Sequence, residues 1–183
     1  MRLKIIISIL FFISISAVHS QSEYKTIEGH IILIGEVNEQ KILAESHKLS
    51  IILDYATKEI SGNLDLKTLK TGVEYLDKQI QNIADKSRQI YFSGTIPIDD
   101  FITQPHLPIS FNWPVILIVE GRKHEISLTG TLTHFNGGKA FACLLGASAD
   151  LSSEMIGLKK IKPDLNDFIK VQFTQTILRN NDL

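Results

Sequence analysis

The chain has 183 residues, 19 basic against 20 acidic side chains, a formal charge of −1 and a single cysteine. Near-neutral charge offers no basic face of the kind that nucleic acid asks for, so a nucleic-acid partner is not expected. One cysteine excludes an intrachain disulfide framework and a cysteine-based metal cluster.

The first element is MRLKIIISILFFISISAVHSQ, in which Arg2 and Lys4 precede an apolar run from Ile5 to Val18. This is the layout of a secretory signal peptide over residues 1–20, with Val18 and Ser20 suiting a cut before Gln21. An uncleaved anchor is the competing reading, but a run of about 14 residues falls short of the roughly 20 that a span needs. The mature chain, residues 21–183, is therefore expected to be exported, periplasmic or secreted, with no integral membrane span after cleavage. No cysteine near the cut supports a lipid anchor. Without Arg2 and Lys4 the balance is 17 basic against 20 acidic residues, a charge of −3. About 160 residues suit one domain with its own core.

Eight runs then alternate with period two, the mark of strands with one buried face. In chain order their apolar registers are Ile31, Leu33, Gly35 and Val37; Leu49, Ile51, Leu53 and Tyr55; and Ile60, Gly62, Leu64 and Leu66. After an interruption come Ile90, Phe92, Gly94, Ile96 and Ile98, and next Leu107, Ile109, Phe111, Trp113, Val115, Leu117 and Val119. Pro108 and Pro114 in that fifth run demand a bend, a bulge or an edge. The last three registers are Ile126, Leu128, Gly130 and Leu132; Phe141, Cys143, Leu145, Ala147 and Ala149; and Ile169, Val171, Phe173 and Ile177. Short connections at residues 55–58, 120–123 and 136–138 carry hairpin-turn chemistry. Eight one-faced antiparallel strands remove their edges by closing, so an all-β, single antiparallel eight-stranded barrel is expected, with a sandwich as the alternative. Gly35, Gly62, Gly94 and Gly130 fall on the inward register, which means either sharp curvature or space for a ligand.

The interruption, KTLKTGVEYLDKQIQNIADK at 67–86, reads as one amphipathic helix. Thr71 and Glu74 have the spacing of a capping box, and Val73, Leu76, Ile80 and Ile83 form an apolar stripe opposite Lys78, Gln81, Asp85 and Lys86. Joining two strands outside any βαβ series, it belongs over a barrel end or flank.

Here the residues resemble the YceI-like family. The carriers are ISGNLDLKTLKTGVEYLDKQI at 60–80, IYFSGTI at 90–96, LTGTLTHFNGGKAFACLL at 128–145 and the tail from Ala147 to Leu178, so that the likeness spans most of residues 47–178. NIADKSRQ at 82–89 departs from the family, which has a proline and an aromatic pair there. The resemblance implies a lipocalin-like barrel with a helical crossover, with residues 21–183 as the YceI-like β-barrel domain, and an isoprenoid or other lipid as the ligand in the lumen. Its lining would come from the inward register: Leu64, Leu66, Phe92, Phe111, Trp113, Leu117, Leu128, Leu132, Phe141 and Phe173.

Catalytic signals are sparse. His30, His47, His106, His124 and His134 form no local metal-binding spacing, and no nucleophile elbow, phosphate loop or dinucleotide fingerprint appears, so no catalytic residue, metal or cofactor is assigned. His124 and Glu125 are strand neighbours and point to opposite sides. Cys143, between Phe141 and Leu145 in the apolar register, reads as a small buried hydrophobe. Lys159, Lys160 and Lys162 are candidates for an anionic head group. The resulting expectation is an exported protein that holds an apolar chain without transforming it. A filled barrel acting as a structural or protein-interaction module at the cell envelope is the alternative, with the protein partner unspecified.

Overall fold

The computed structural model describes residues 23–83, 85–98, 105–137 and 140–179. The expected signal peptide lies outside these residues. Eight antiparallel strands close into a barrel in chain order, β1 meeting β8. They are β1 (Glu23–Val37), β2 (Gln40–Asp54), β3 (Glu59–Asp65), β4 (Gln89–Thr95), β5 (Ile109–Val119), β6 (Arg122–Gly137), β7 (Ala140–Ser152) and β8 (Phe168–Arg179). Closure pairs every strand on both sides, which disposes of the edges that the sequence could not leave open.

The inward register follows the alternation closely, with Leu33, Leu49, Ile51, Leu53, Ile60, Ile96, Trp113, Leu132 and Cys143 among the residues sealed from solvent. Three local departures have physical causes. In β8 the pairing with β7 shifts between Leu145 and Ala147, whose partners are Thr176 and Phe173. The extra residue reverses the alternation beyond Phe173, so Thr176 and Leu178 turn inward while Ile177, expected inside, faces solvent. Leu107 lies outside β5 and is exposed, because the strand begins only after Pro108. Pro114 does sit within β5, pairing with Ser127 of β6, but β4 pairs with β5 only from Ile90 to Ser93. The missing amide of Pro114 therefore faces a stretch where no ladder bond is made.

Four connections share one barrel end, called here the helix end. The β1–β2 turn bends at Asn38 and Glu39, both at positive φ, and the β5–β6 turn does so at Glu120 and Gly121. Between β3 and β4 lie a 3-10 turn (Leu66–Thr68), helix α1 (Glu74–Gln81) and the short helix α2 (Asp85–Arg88). Between β7 and β8 runs a 15-residue loop, 153–167, closed at its base where the Ser153 amide donates to Asp167 O (2.8 Å) and Ser153 Oγ donates to Asn166 O (2.6 Å). The Asn166 amide ties this loop to Glu36 O (2.9 Å) at the rim of β1.

Helix α1 starts later than the sequence pattern suggests, and its cap differs from the expected capping box. Val73 occupies the N-cap, and Thr71 instead engages Asp77: its amide and its hydroxyl both donate to Asp77 Oδ1 at 2.7 Å. Glu74 pairs forward with Lys78 at 2.7 Å rather than back to the cap. The helix buries Leu76 and Ile80, leaves Ile83 half-buried, and exposes Val73, because Gly72 at positive φ turns the chain just before it. Lys78, Gln81 and Asp85 face solvent as expected; the Lys86 side chain lies outside the description.

Candidate functional site: an apolar half-lumen beneath a helix

Period-two side chains from all eight strands converge inside the helix-end half of the barrel. Ile31, Leu33, Leu49, Leu64, Ile90, Phe92, Val115, Leu117, Ile126, Leu128, Val171 and Phe173 surround a cavity of about 70 Å3, with Leu151 of β7 and Ile156 of the 153–167 loop completing it. Every lining side chain is apolar. Such a space stays dry and favours apolar guests, since water there would lack partners. Desolvation is the one force the site offers.

Directly outward lies a second cavity of about 60 Å3, at the mouth. Its wall comprises Leu33, Gly35, Ile42, Ala44 and Ile169 of the strands, Thr71, Leu76 and Ile80 of the helical crossover, and Leu158, Ile161, Lys162 and Leu165 of the loop. Leu33 borders both spaces and stands between them. Leu165 seats against Gly35, where a Cβ would come within 2.6 Å of its Cδ1. Helix α1 and the loop thus form a two-part lid over this cavity.

The three lysines of the loop are engaged in ion pairs. Lys159 meets Asp167, Lys160 meets Glu120, and Lys162 meets Asp164 at 2.7 Å. Of the three, only Lys162 borders the mouth cavity.

Of the inward glycines, Gly62, Gly94 and Gly130 do not open the lumen. A Cβ at Gly62 would lie 2.3 Å from Phe92 Cζ, and one at Gly130 would lie 2.6 Å from Phe111 Cε2. Each glycine is a seat for an aromatic ring, a packing device distinct from both curvature and ligand space. At Gly94 the obstacle is Pro114 O, 2.6 Å away, with Trp113 Nε1 at 2.9 Å. Phe92 contacts Phe173 (centroids 6.4 Å, stacked) and Trp113 (6.3 Å, edge-on), and Trp113 contacts Phe111 (6.5 Å). Phe92 and Phe173 make the floor of the cavity, with Trp113 and Phe111 packed behind them. The sequence-derived lining set therefore divides: Leu64, Phe92, Leu117, Leu128 and Phe173 border the void, while Leu66 packs under the crossover and Phe111, Trp113 and Leu132 lie in the filled half. The Phe141 side chain falls outside the description.

Below the floor the barrel closes on a polar chain that local sequence spacing did not reveal. His106 Nδ1 lies 2.6 Å from Leu107 O and must donate to it, since a carbonyl only accepts. With both rings neutral, His106 Nε2 then accepts from His134 Nδ1–H (2.6 Å), and His134 Nε2 accepts from the Tyr55 hydroxyl (2.6 Å). Burial, and secondarily His106, hold the His134 imidazole down to about 4, so its neutral form is the native one. Burial pushes the Tyr55 phenol far up and the Cys143 thiol up to about 11. Cys143 is thus a protonated, inaccessible thiol rather than a nucleophile. The network fits a plug: its members come from the β2–β3 turn, the segment before β5, β6 and β7, and they pin these elements together.

No family model matches the chain, and no curated protein matches its sequence. Solved structures do match its fold. A polyisoprenoid binding domain from Saccharophagus degradans, implicated in plant cell wall breakdown, aligns at TM-score 0.69 and 7% identity, over 87% of this chain and 98% of that one. BcnA of Burkholderia cenocepacia aligns at TM-score 0.57 and 13% identity, over 84% and 96%. A mutant YceI protein prepared for nanotechnology applications aligns at TM-score 0.50 and 12% identity, over 81% and 85%. The fold is thus the lipocalin-like barrel of YceI-type and polyisoprenoid-binding-domain structures. At these identities the likeness establishes architecture, and the chemistry of the site rests on this chain's own residues.

Proposed function

We propose that this protein is an exported, periplasmic or secreted binder that buries an apolar chain, an isoprenoid or another lipid, in the helix-end half of its barrel and performs no chemistry on it. The observation that carries the reading is the wholly apolar cavity aligned with the mouth cavity under helix α1. Each methylene moved from water into that space contributes about 0.8 kcal/mol, which makes a slender hydrocarbon a natural guest. At about 70 Å3 the inner cavity is far below the 300–1,000 Å3 typical of small-molecule sites, so only the tip of a chain fits before Leu33 rotates and joins the two spaces. A polar head would remain at the mouth, near Thr71 and Lys162. The fold of a polyisoprenoid binding domain supports the same reading.

Native mass spectrometry of the mature protein from its own envelope tests it, followed by solvent extraction of any co-travelling mass. An extractable adduct of a few hundred daltons, on a chain beginning at Gln21, is the expected result. A bare mass that also refuses added isoprenoids and fatty acids overturns it. Ile80→Asp, which places a charge in the lid over the mouth cavity, should speed release of a bound chain while the barrel stays folded; unchanged retention in a folded variant would count against the lid. The second reading, a filled barrel serving as an interaction module, is favoured by the rings seated on Gly62 and Gly130.

A further inference from the structure

On the outer wall of the barrel, away from the lumen, β1 and β2 are joined through a bulge. Ile31 pairs with Ser46 and Gly29 with Leu49, so His47 and Lys48 together oppose the single residue His30. Ser46 is buried, and the period of two places Glu45 and His47 on the solvent side of β2, beside His30. The imidazoles of His30 and His47 stack at 4.2 Å with planes 8° apart, and His30 Nε2 lies 3.1 Å from Glu45 Oε2. One donor atom from each of the three residues lies within 4.8 Å of the other two.

This stretch of β2 is braced from behind. Glu45 and Lys70 exchange two backbone hydrogen bonds (2.9 and 2.8 Å), Ser46 Oγ is 2.6 Å from Thr68 Oγ1, and the Lys48 amide donates to Ser46 Oγ (3.1 Å). Lys48 itself turns to Glu28 at 3.8 Å. Two strands and the crossover segment thus fix the Cα positions of the cluster, while its side chains remain at the surface.

We propose that His30, Glu45 and His47 form a site for a divalent transition-metal ion of the zinc class, with water filling the open position. Two imidazoles and a carboxylate are the donor set that such borderline ions accept, and metal–ligand bonds near 2.0–2.1 Å put tetrahedral ligands about 3.3 Å apart. The 3.1 Å between His30 Nε2 and Glu45 Oε2 already has that spacing. His47 must tilt out of the stack to converge on the same ion, and being exposed it does so without disturbing the core. The carboxylate offsets part of the ion's charge. The site is independent of the lumen, so it stands or falls separately from lipid binding.

Titration calorimetry with Zn2+ in a non-coordinating buffer tests the assignment, run on the protein and on His47→Gln, Glu45→Gln and His124→Gln. Saturable binding of one ion per chain is expected, weakened about 10-fold or more by the first two substitutions and unchanged by the third. Imidazole NMR signals of His30 and His47, and not of His124, should broaden with sub-stoichiometric Cu2+. Far-UV circular dichroism without metal verifies that each variant is folded; Glu45→Gln carries the test if His47→Gln does not fold. No saturable Zn2+ binding, or equal binding by a folded His30→Gln/Glu45→Gln/His47→Gln triple variant, overturns the proposal.

Discussion

At the helix end, apolar side chains from all eight strands leave about 70 Å3 unoccupied; at the opposite end, among the described residues, Trp113, Phe111, Leu132, Leu145 and the Tyr55–His134–His106 chain occupy the interior. The two halves share the same strands and the same alternation. What separates them is the layer of rings at mid-height, where Phe92 and Phe111 lie over glycines and meet Trp113. The comparison teaches that glycine on an inward register need not signal a cavity. It can mark where a neighbour's ring takes the space, and in this barrel it divides a plug from a receptacle.

The largest test of the division is Trp113→Ala. Trp113 is fully buried in the filled half, and its loss should cost about 3–5 kcal/mol in urea denaturation. A cost below about 1 kcal/mol would show that this half is not a tightly packed plug.

Acid should act on the plug next. The His134 imidazole is held down to about 4 in the folded chain against an ordinary 6.5, so on acidification the unfolded chain takes up that proton first. Its neutral form therefore gives full stability above pH 6.5, which declines as pH falls towards 4 and then levels off, by roughly 2–3 kcal/mol in all. Urea midpoints at pH 7 and pH 4.5 should differ accordingly, and His134→Gln should flatten that interval. An equal drop in the variant would assign the acid sensitivity elsewhere.

A pair of enlargements then sharpens the contrast. Val171→Phe points new volume at the existing cavity and should change stability by less than about 1 kcal/mol while blocking uptake of apolar chains. Cys143→Phe puts the added volume where no space exists and should cost about 1–3 kcal/mol or more. Equal costs would erase the distinction between the halves. Smallest of all, Asp77→Ala removes both hydrogen bonds to Thr71 and should cost about 1 kcal/mol, read as a lower melting temperature and earlier fraying of α1, with the barrel intact.

Much of this architecture is legible in the residues. Strict alternation identified eight inward registers, and the 3–4 spacing of Leu76, Ile80 and Ile83 identified the helix that covers the barrel. What alternation cannot encode is a change of phase. The extra residue in β8 carries no local signature, so Ile177 and Thr176 exchange sides unannounced. The capping box failed for a related reason: the sequence offers Thr71 two acidic residues downstream, Glu74 and Asp77, and in the fold it bonds the second while Glu74 pairs with Lys78. Core and cavity lining share one sequence pattern, so Leu128, which borders the void, and Leu132, which does not, are indistinguishable in the chain. The histidine chain joins residues up to 79 positions apart and exists only after closure.

The strands also differ in length, and that has a consequence for motion. β3 and β4 have 7 residues each where the others have 11 to 16, and the described ladders joining this pair to β2 and to β5 have four register positions apiece. This short panel also carries the crossover that roofs the mouth. Breaking eight ladder positions and the Glu45–Lys70 bridge would release it, whereas the β5–β6 ladder alone has eleven. Native-state hydrogen exchange should therefore find residues 59–95 opening together below the free energy of global unfolding, a hinged door in an otherwise continuous wall. If the barrel takes up an apolar chain as proposed, a guest too wide for the gap between α1 and the loop would pass through that door.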